Sequence, residues 1–226
     1  MQLHFITSVS KNYWNETGKY CISTWTNLPG KVTVYVDQKE GDLDWIKEIP
    51  FHKELLFVPT LQANVGERAK VRKFWGKSMA QITALRNRGK DERIVWIDAD
   101  VEVTAPSVPD QLFSFGFTEP IAMLNSGDQE DCWESGIVIF NQSAEKFDLT
   151  VRKYERAWLD EDTLLSLWKP YDAQVLGHVA TERGYLNLCQ QKCPNADALI
   201  HSHMGKYFKH WINKENKKIL SEKKSV

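Results

Sequence analysis

The stretch ERIVWIDADVEV, Glu92–Val103, decides how the chain is read. Ile94 to Ile97 is a run of β-branched and aromatic residues, the composition of a strand buried on both faces. It delivers two carboxylates, Asp98 and Asp100, separated by a single alanine. Two carboxylates this close repel one another and resist joint ionisation. A divalent cation removes that conflict, because Mg2+ and Mn2+ prefer oxygen ligands and share them with substrate phosphates. An Asp-x-Asp by itself fits a solvated surface turn as well. The apolar strand in front of this one raises the functional reading.

Working outward, Leu3 to Val9 reads as a buried strand and 12–27 as a helix. LPGK then turns the chain into a β-branched strand, KVTVYVD, and Leu55 to Val58 is a short third strand. Residues 66–88 carry apolar positions at Val71, Phe74, Trp75, Ile82 and Leu85, three and four apart, with Gly89 where a C-terminal cap would stand. Arg93 to Ile97, Ile121 to Leu124, Ile137 to Phe140 and Ala198 to His201 read as further strands, and 144–168 and 171–182 as helices. Strands alternating with helices predict an α/β fold with a mostly parallel central sheet flanked by helices. Residues 1–211 form one domain in this reading, and 212–226 a lysine-rich tail. In such sheets ligands bind beyond the carboxyl ends of the strands. That rule gathers Thr7 to Ser10, Asp37 and Asp98 to Asp100 on one edge.

The chain has 226 residues, 42% of them hydrophobic, which is ample for a packed core. A formal charge of −1 excludes a polycation built around nucleic acid, although 68–77 and the tail are locally basic. No run approaches the roughly 20 apolar residues of a membrane span, and MQLHFITSVS lacks the basic and apolar regions of a signal peptide. Reduced cysteines in a cytoplasmic protein are the expectation.

Several segments, in order, resemble GT-A glycosyltransferases. IVWIDADVEV looks like their Asp-x-Asp segment, and RAKVRKFWGKSMAQITAL like the helix before it. DCWESGIVIFN is similar to their acceptor-side strand, and PYDAQVLGHV to the Asp-bearing helix start that follows. LIHSHMGKYFKHW resembles the C-terminal His–Gly–Lys–Trp segment that closes over the nucleotide. In the retaining families that segment runs His-x-x-Gly-x-x-Lys-Pro-Trp. Here histidines stand two and four residues before Gly205, and His210 replaces the proline.

The resemblance implies a single GT-A-like, Rossmann-like domain that moves a sugar from a nucleotide donor, with UDP as nucleotide and Mn2+ (or Mg2+) as cofactor. Asp98 and Asp100 would hold the metal, completed by His203 or, alternatively, His201. The cation would stabilise charge building on the departing diphosphate. Lys77 and Lys206 would contact phosphate or sugar, with Lys209 a further candidate. Thr7, Ser8 and Asp37 would meet the base and ribose. Glu134 and Asp172 are the catalytic candidates on the acceptor side, although Asp172 equally suits an N-cap. The acceptor would be a glycan or a small molecule, with nucleic acid allowed by the basic segments. One competing reading is a zinc-binding module built from Cys189, Cys193, His201 and His203, whose spacing matches no common structural zinc pattern. Another is a non-catalytic module that binds nucleotide sugars. A P-loop enzyme is excluded: Gly76-Lys77-Ser78 lacks the first glycine and sits within a helix.

Overall fold

A computed structural model describes residues 1–37, 43–56, 58, 69–125, 133–167, 171–189, 199 and 202–211, the side chains of 69–73, 161 and 165 excepted. Its centre is a seven-stranded sheet in the order β3-β2-β1-β4-β7-β6-β8. The strands are β1 (Gln2–Val9), β2 (Lys31–Asp37), β3 (His52–Leu56), β4 (Glu92–Ile97), β6 (Ile121–Asn125), β7 (Trp133–Phe140) and β8 (Leu186–Asn187). The first four in sequence run parallel, as does the β6–β8 pair, while β7 runs antiparallel to both β4 and β6. The mostly parallel sheet expected from the alternation of elements is the observed one.

Both faces of the sheet are covered, and β4 shows why its sequence is apolar throughout. Ile94 and Trp96 point into one core and Val95 and Ile97 into the other, all at most 1% exposed. A strand with a period of two and two buried faces has no solvent side to keep polar. The first core is closed by α3 (Ala69–Arg86), α5 (Phe147–Leu159) and α7 (Asp172–Arg183). Helix α5 buries Phe147, Thr150, Val151, Tyr154, Ala157 and Trp158, a stripe at three- and four-residue steps. The second core lies under a segment after β1 and includes Phe5, Trp14, Trp25, Phe113 and Phe208. That segment was expected to be one helix over 12–27. It is instead α1 (Lys11–Tyr13), a π-helical turn, α2 (Lys19–Ser23) and a 3-10 turn ending at Asn27.

Other boundaries differ from expectation. Strand β3 begins at His52 and ends at Leu56, with His52 and Lys53 exposed at the sheet edge. The expected 144–168 helix is divided at Asp160, whose side chain caps α6 (Glu161–Ser166) by accepting from the Asp162 amide at 3.3 Å. Gly89 does not cap α3; among the described residues the glycine with positive φ, 91°, is Gly184 at the end of α7. Not anticipated were α4 (Gln111–Ser114) and a two-stranded ribbon in which β5 (Val101–Val103) pairs antiparallel with β9 (Phe208–His210). Of the expected 198–201 strand, only Leu199 lies among the described residues, in a turn. The 212–226 tail lies outside them. No helix among the described residues is long and apolar enough to cross a membrane.

Candidate functional site

The carboxyl ends of β1, β2 and β4 open into a cleft of about 590 Å3. Ser8 and Ser10 border it from β1 and the turn after it, Asp37 from the end of β2, and Asp98 and Asp100 from the turn after β4. That turn is pinned by backbone: the Asp98 amide donates to the Gly136 carbonyl at 2.9 Å, and the Val101 amide to the Asp98 carbonyl at 2.9 Å. Trp96 reaches forward from the strand, its Nε1 donating to Asp98 Oδ1 at 2.7 Å.

Two charge networks meet at the aspartates. In the first, Lys77 of α3 places its ammonium 2.5 Å from Asp98 Oδ1 and 2.6 Å from Asp172 Oδ2 at the start of α7. Ser135 joins by donating to Asp172 Oδ2 at 2.5 Å. Burial by itself would depress the Lys77 ammonium; the two carboxylates outweigh it and hold Lys77 above its ordinary value. Asp98 is pushed up, first by burial, with Lys77 opposing and the charges of Asp100 and Asp172 adding to the rise.

In the second network, His210 at the end of β9 sits between carboxylates. Its Nε2 lies 3.1 Å from Asp100 Oδ1 and 3.9 Å from Asp98 Oδ2, and its Nδ1 lies 3.0 Å from Glu134 Oε1. Burial would lower the imidazole, but hydrogen bonds to Asp100 and Glu134 and the charges of the aspartates push it up to about 10. The other Asp100 oxygen accepts from the Tyr13 hydroxyl. Burial, reinforced by the Asp100 charge, holds that phenol far above its ordinary value.

One donor atom each from Asp98, Asp100 and His210 lies within 4.8 Å of the other two. Two carboxylate oxygens and an imidazole nitrogen suit an oxygen-preferring divalent cation that tolerates nitrogen. Binding one would also relieve the repulsion posed by the acidic pair.

The sequence expectations distribute unevenly over this geometry. Ser8, Asp37, Lys77, Asp98, Asp100, Glu134 and Asp172 converge on the one cleft. Asp172 is the first residue of α7 and not its N-cap, and its side chain turns to Lys77 and Ser135. Thr7 does not reach the cleft: strand alternation puts it on the Phe5 face, fully buried. His203 and Lys206 are not brought to the aspartates. Both are exposed in a 3-10 turn (His203–Lys206) and line a separate cavity of about 600 Å3 with Cys189. His201 and Cys193 lie outside the described residues. The imidazole at the acidic pair is that of His210, because pairing of β9 with β5 turns Phe208 and His210 inward and Lys209 outward. Sequence reasoning noticed His210 only as a replaced proline. It missed Tyr13, Ser135 and Trp96 as partners of the carboxylates: Tyr13 and Ser135 come from distant elements, and Trp96, two residues before Asp98, read only as part of the apolar strand.

Aromatic residues line the rest of the cleft. Phe74 and Tyr171 pack with ring centroids 4.7 Å apart, and Trp133 meets Tyr185 edge-on at 4.6 Å.

No family model and no curated protein sequence matches the chain. Solved structures do. The galactosyltransferase LgtC, in complex with donor and acceptor sugar analogues, superposes with a TM-score of 0.59 at 10% identity, over 95% of this chain and 88% of LgtC. A glycosyltransferase involved in glycosylation of the major capsid of PBCV-1 gives 0.56 at 10% identity, over 97% of this chain and all of its own. The bifunctional glycosyltransferase WbbM gives 0.55 at 16% identity over 83% of this chain, and GlyE of Streptococcus pneumoniae TIGR4 gives 0.55 at 12%. The chain spans 38% of WbbM and 45% of GlyE.

Proposed function

From the GT-A glycosyltransferase fold that this chain carries, we propose that it transfers a sugar from a nucleotide-sugar donor, a UDP-sugar, to an acceptor hydroxyl on a glycan or small molecule. The observation that carries the reading is the Asp98–Asp100–His210 cluster at the carboxyl edge of the parallel strands. These residues would hold Mn2+ (or Mg2+), which as a Lewis acid stabilises the charge developing on the diphosphate leaving group.

The chain's own residues divide the remaining work. Ser8 and Asp37 stand where β1 and β2 end and meet the base and ribose. Lys77 presents the one ammonium lining the cleft among the described residues, and it contacts the diphosphate or the donor sugar. Asp172 keeps that ammonium in place and, with Ser135, faces the acceptor. Phe74, Trp133 and Tyr171 offer apolar faces on which sugar rings stack and from which water is excluded.

The test uses the purified chain with Mn2+ and a panel of nucleotide sugars, without acceptor, following slow loss of donor sugar to water. One donor should be hydrolysed, EDTA should stop it, and Asp100→Asn should reduce it by roughly a hundredfold or more. Metal-dependent nucleotide binding and turnover that both survive Asp100→Ala would refute the reading. Nucleotide binding with metal but no turnover on any donor would favour a binding module.

A further inference from the structure

We propose that Glu134 is a positioning residue for the cation site: its carboxylate fixes the His210 ring so that Nε2 faces Asp98 and Asp100, where it would ligate a cation held between them. The inference rests on the metal-dependent reading above and moves Glu134 from the acceptor to the metal. Three observations carry it. Glu134 Oε1 lies 3.0 Å from His210 Nδ1, on the side of the ring opposite the aspartates. A carboxylate is an acceptor only, so Nδ1 must carry the hydrogen it shares with Glu134. Nε2 is the atom 3.1 Å from Asp100 Oδ1, and a cation in the cluster would take the place of the hydrogen that Nε2 shares with that carboxylate while Nδ1 keeps its own.

The ring also has little freedom to turn. His210 is 8% exposed, and it packs against the backbone of β7 at Gly136. A Cβ built there would lie 3.0 Å from His210 Cε1, 3.1 Å from Nδ1 and 3.2 Å from Glu134 Oε1. Ring, carboxylate and glycine are thus packed as one unit. Glu134 and Gly136 sit two residues apart on one strand, so the element that supplies the brace also supplies the floor. A histidine that ligates a metal through one nitrogen and donates to a carboxylate through the other is held in tautomer and orientation, and losing that carboxylate typically weakens metal affinity by about 10- to 100-fold.

The experiment is Mn2+ binding by electron paramagnetic resonance, with neither nucleotide nor acceptor present, on the wild-type chain and on Glu134→Ala, Glu134→Gln, His210→Ala and the Glu134→Ala/His210→Ala double variant. Glu134→Ala should weaken Mn2+ binding about 10- to 100-fold. Glu134→Gln, whose amide oxygen still accepts from Nδ1, should recover most of that loss. In the His210→Ala background, Glu134→Ala should cost nothing further, because it acts through the ring. An equal loss in both backgrounds would overturn the inference, as would wild-type Mn2+ affinity in Glu134→Ala together with lost transfer, which would return Glu134 to the substrate. A wild-type chain that binds UDP but no Mn2+ would remove the metal-dependent reading itself, and this inference with it.

Discussion

Removing the Lys77 ammonium leaves Asp98 and Asp172 without the cation that lies between them. Breaking a buried ion pair from one side costs about 3–5 kcal/mol. Lys77→Met should therefore lower stability to urea by that order near neutral pH, and adding Asp172→Asn should return part of it. A Lys77→Met chain as stable as wild type would mean that the ammonium does not hold the two carboxylates together. His4 gives the pH dependence. Burial, reinforced by the Lys31 charge and opposed by Glu92, holds its imidazole below 6.5. The unfolded chain then binds the proton more readily, so His4 makes the fold less stable as pH falls through 6.5. Without metal, His210 acts in the opposite sense: raised to about 10, it contributes stability that is complete below 6.5 and lost as pH rises through 10. The two trends overlap, so the useful quantity is the difference between wild type and His4→Gln. Between about pH 7.5 and 5.5, wild type should lose stability relative to the variant; a constant difference would show that His4 takes up its proton equally in the folded and unfolded states. At this scale the carboxylates were legible from their place at strand ends. Their partners were not, because Tyr13, Lys77, Ser135 and His210 reach them across 21 to 110 positions of sequence.

Helix α7 approaches β7 so closely at Gly177 that a Cβ there would lie 2.5 Å from the Trp133 ring. Gly177→Ala must push that indole away from its place in the cleft wall. The overpacking should cost about 1–3 kcal/mol in stability, with a change in tryptophan emission and weaker acceptor binding. An unchanged melt and spectrum would show that α7 can shift as a body. The long elements announced themselves: α3 and α5 by three- and four-residue apolar steps, β1, β2 and β4 by β-branched runs. The β5–β9 ribbon did not, since three-residue strands are too short to display a period. That ribbon is what carries His210 to the aspartates. The segment after β1 read as one helix from the spacing of Tyr13, Tyr20, Ile22 and Trp25; the π turn at Trp14–Gly18 changes the pitch, so that Trp14, Ile22 and Trp25 are buried and Tyr13 and Tyr20 only partly so.

For the whole molecule, a ligand that binds only the folded state raises its stability by mass action, about 2.7 kcal/mol at a hundred times its Kd. Mn2+ and UDP together should therefore raise the melting temperature by roughly 5–10 °C for a chain of this size. Either alone should give much less, and EDTA should reverse the shift. Equal shifts from UDP with and without metal would separate nucleotide binding from the acidic cluster. The same cooperation between distant parts marks the boundary of what the sequence carried. By itself it determined the α/β class, the strands β1, β2 and β4 that alternate with helical segments, and the delivery of Asp37, Asp98 and Asp100 to one edge, because burial period and the order of elements are written along the chain. Only the tertiary structure decided that His210 and not His203 meets those acids, that Lys77 is shared between Asp98 and Asp172, and that Glu134 turns toward a histidine. Those choices depend on which short strand pairs with which and on how the buried charges neutralise one another, and both are settled by packing between residues far apart in the chain.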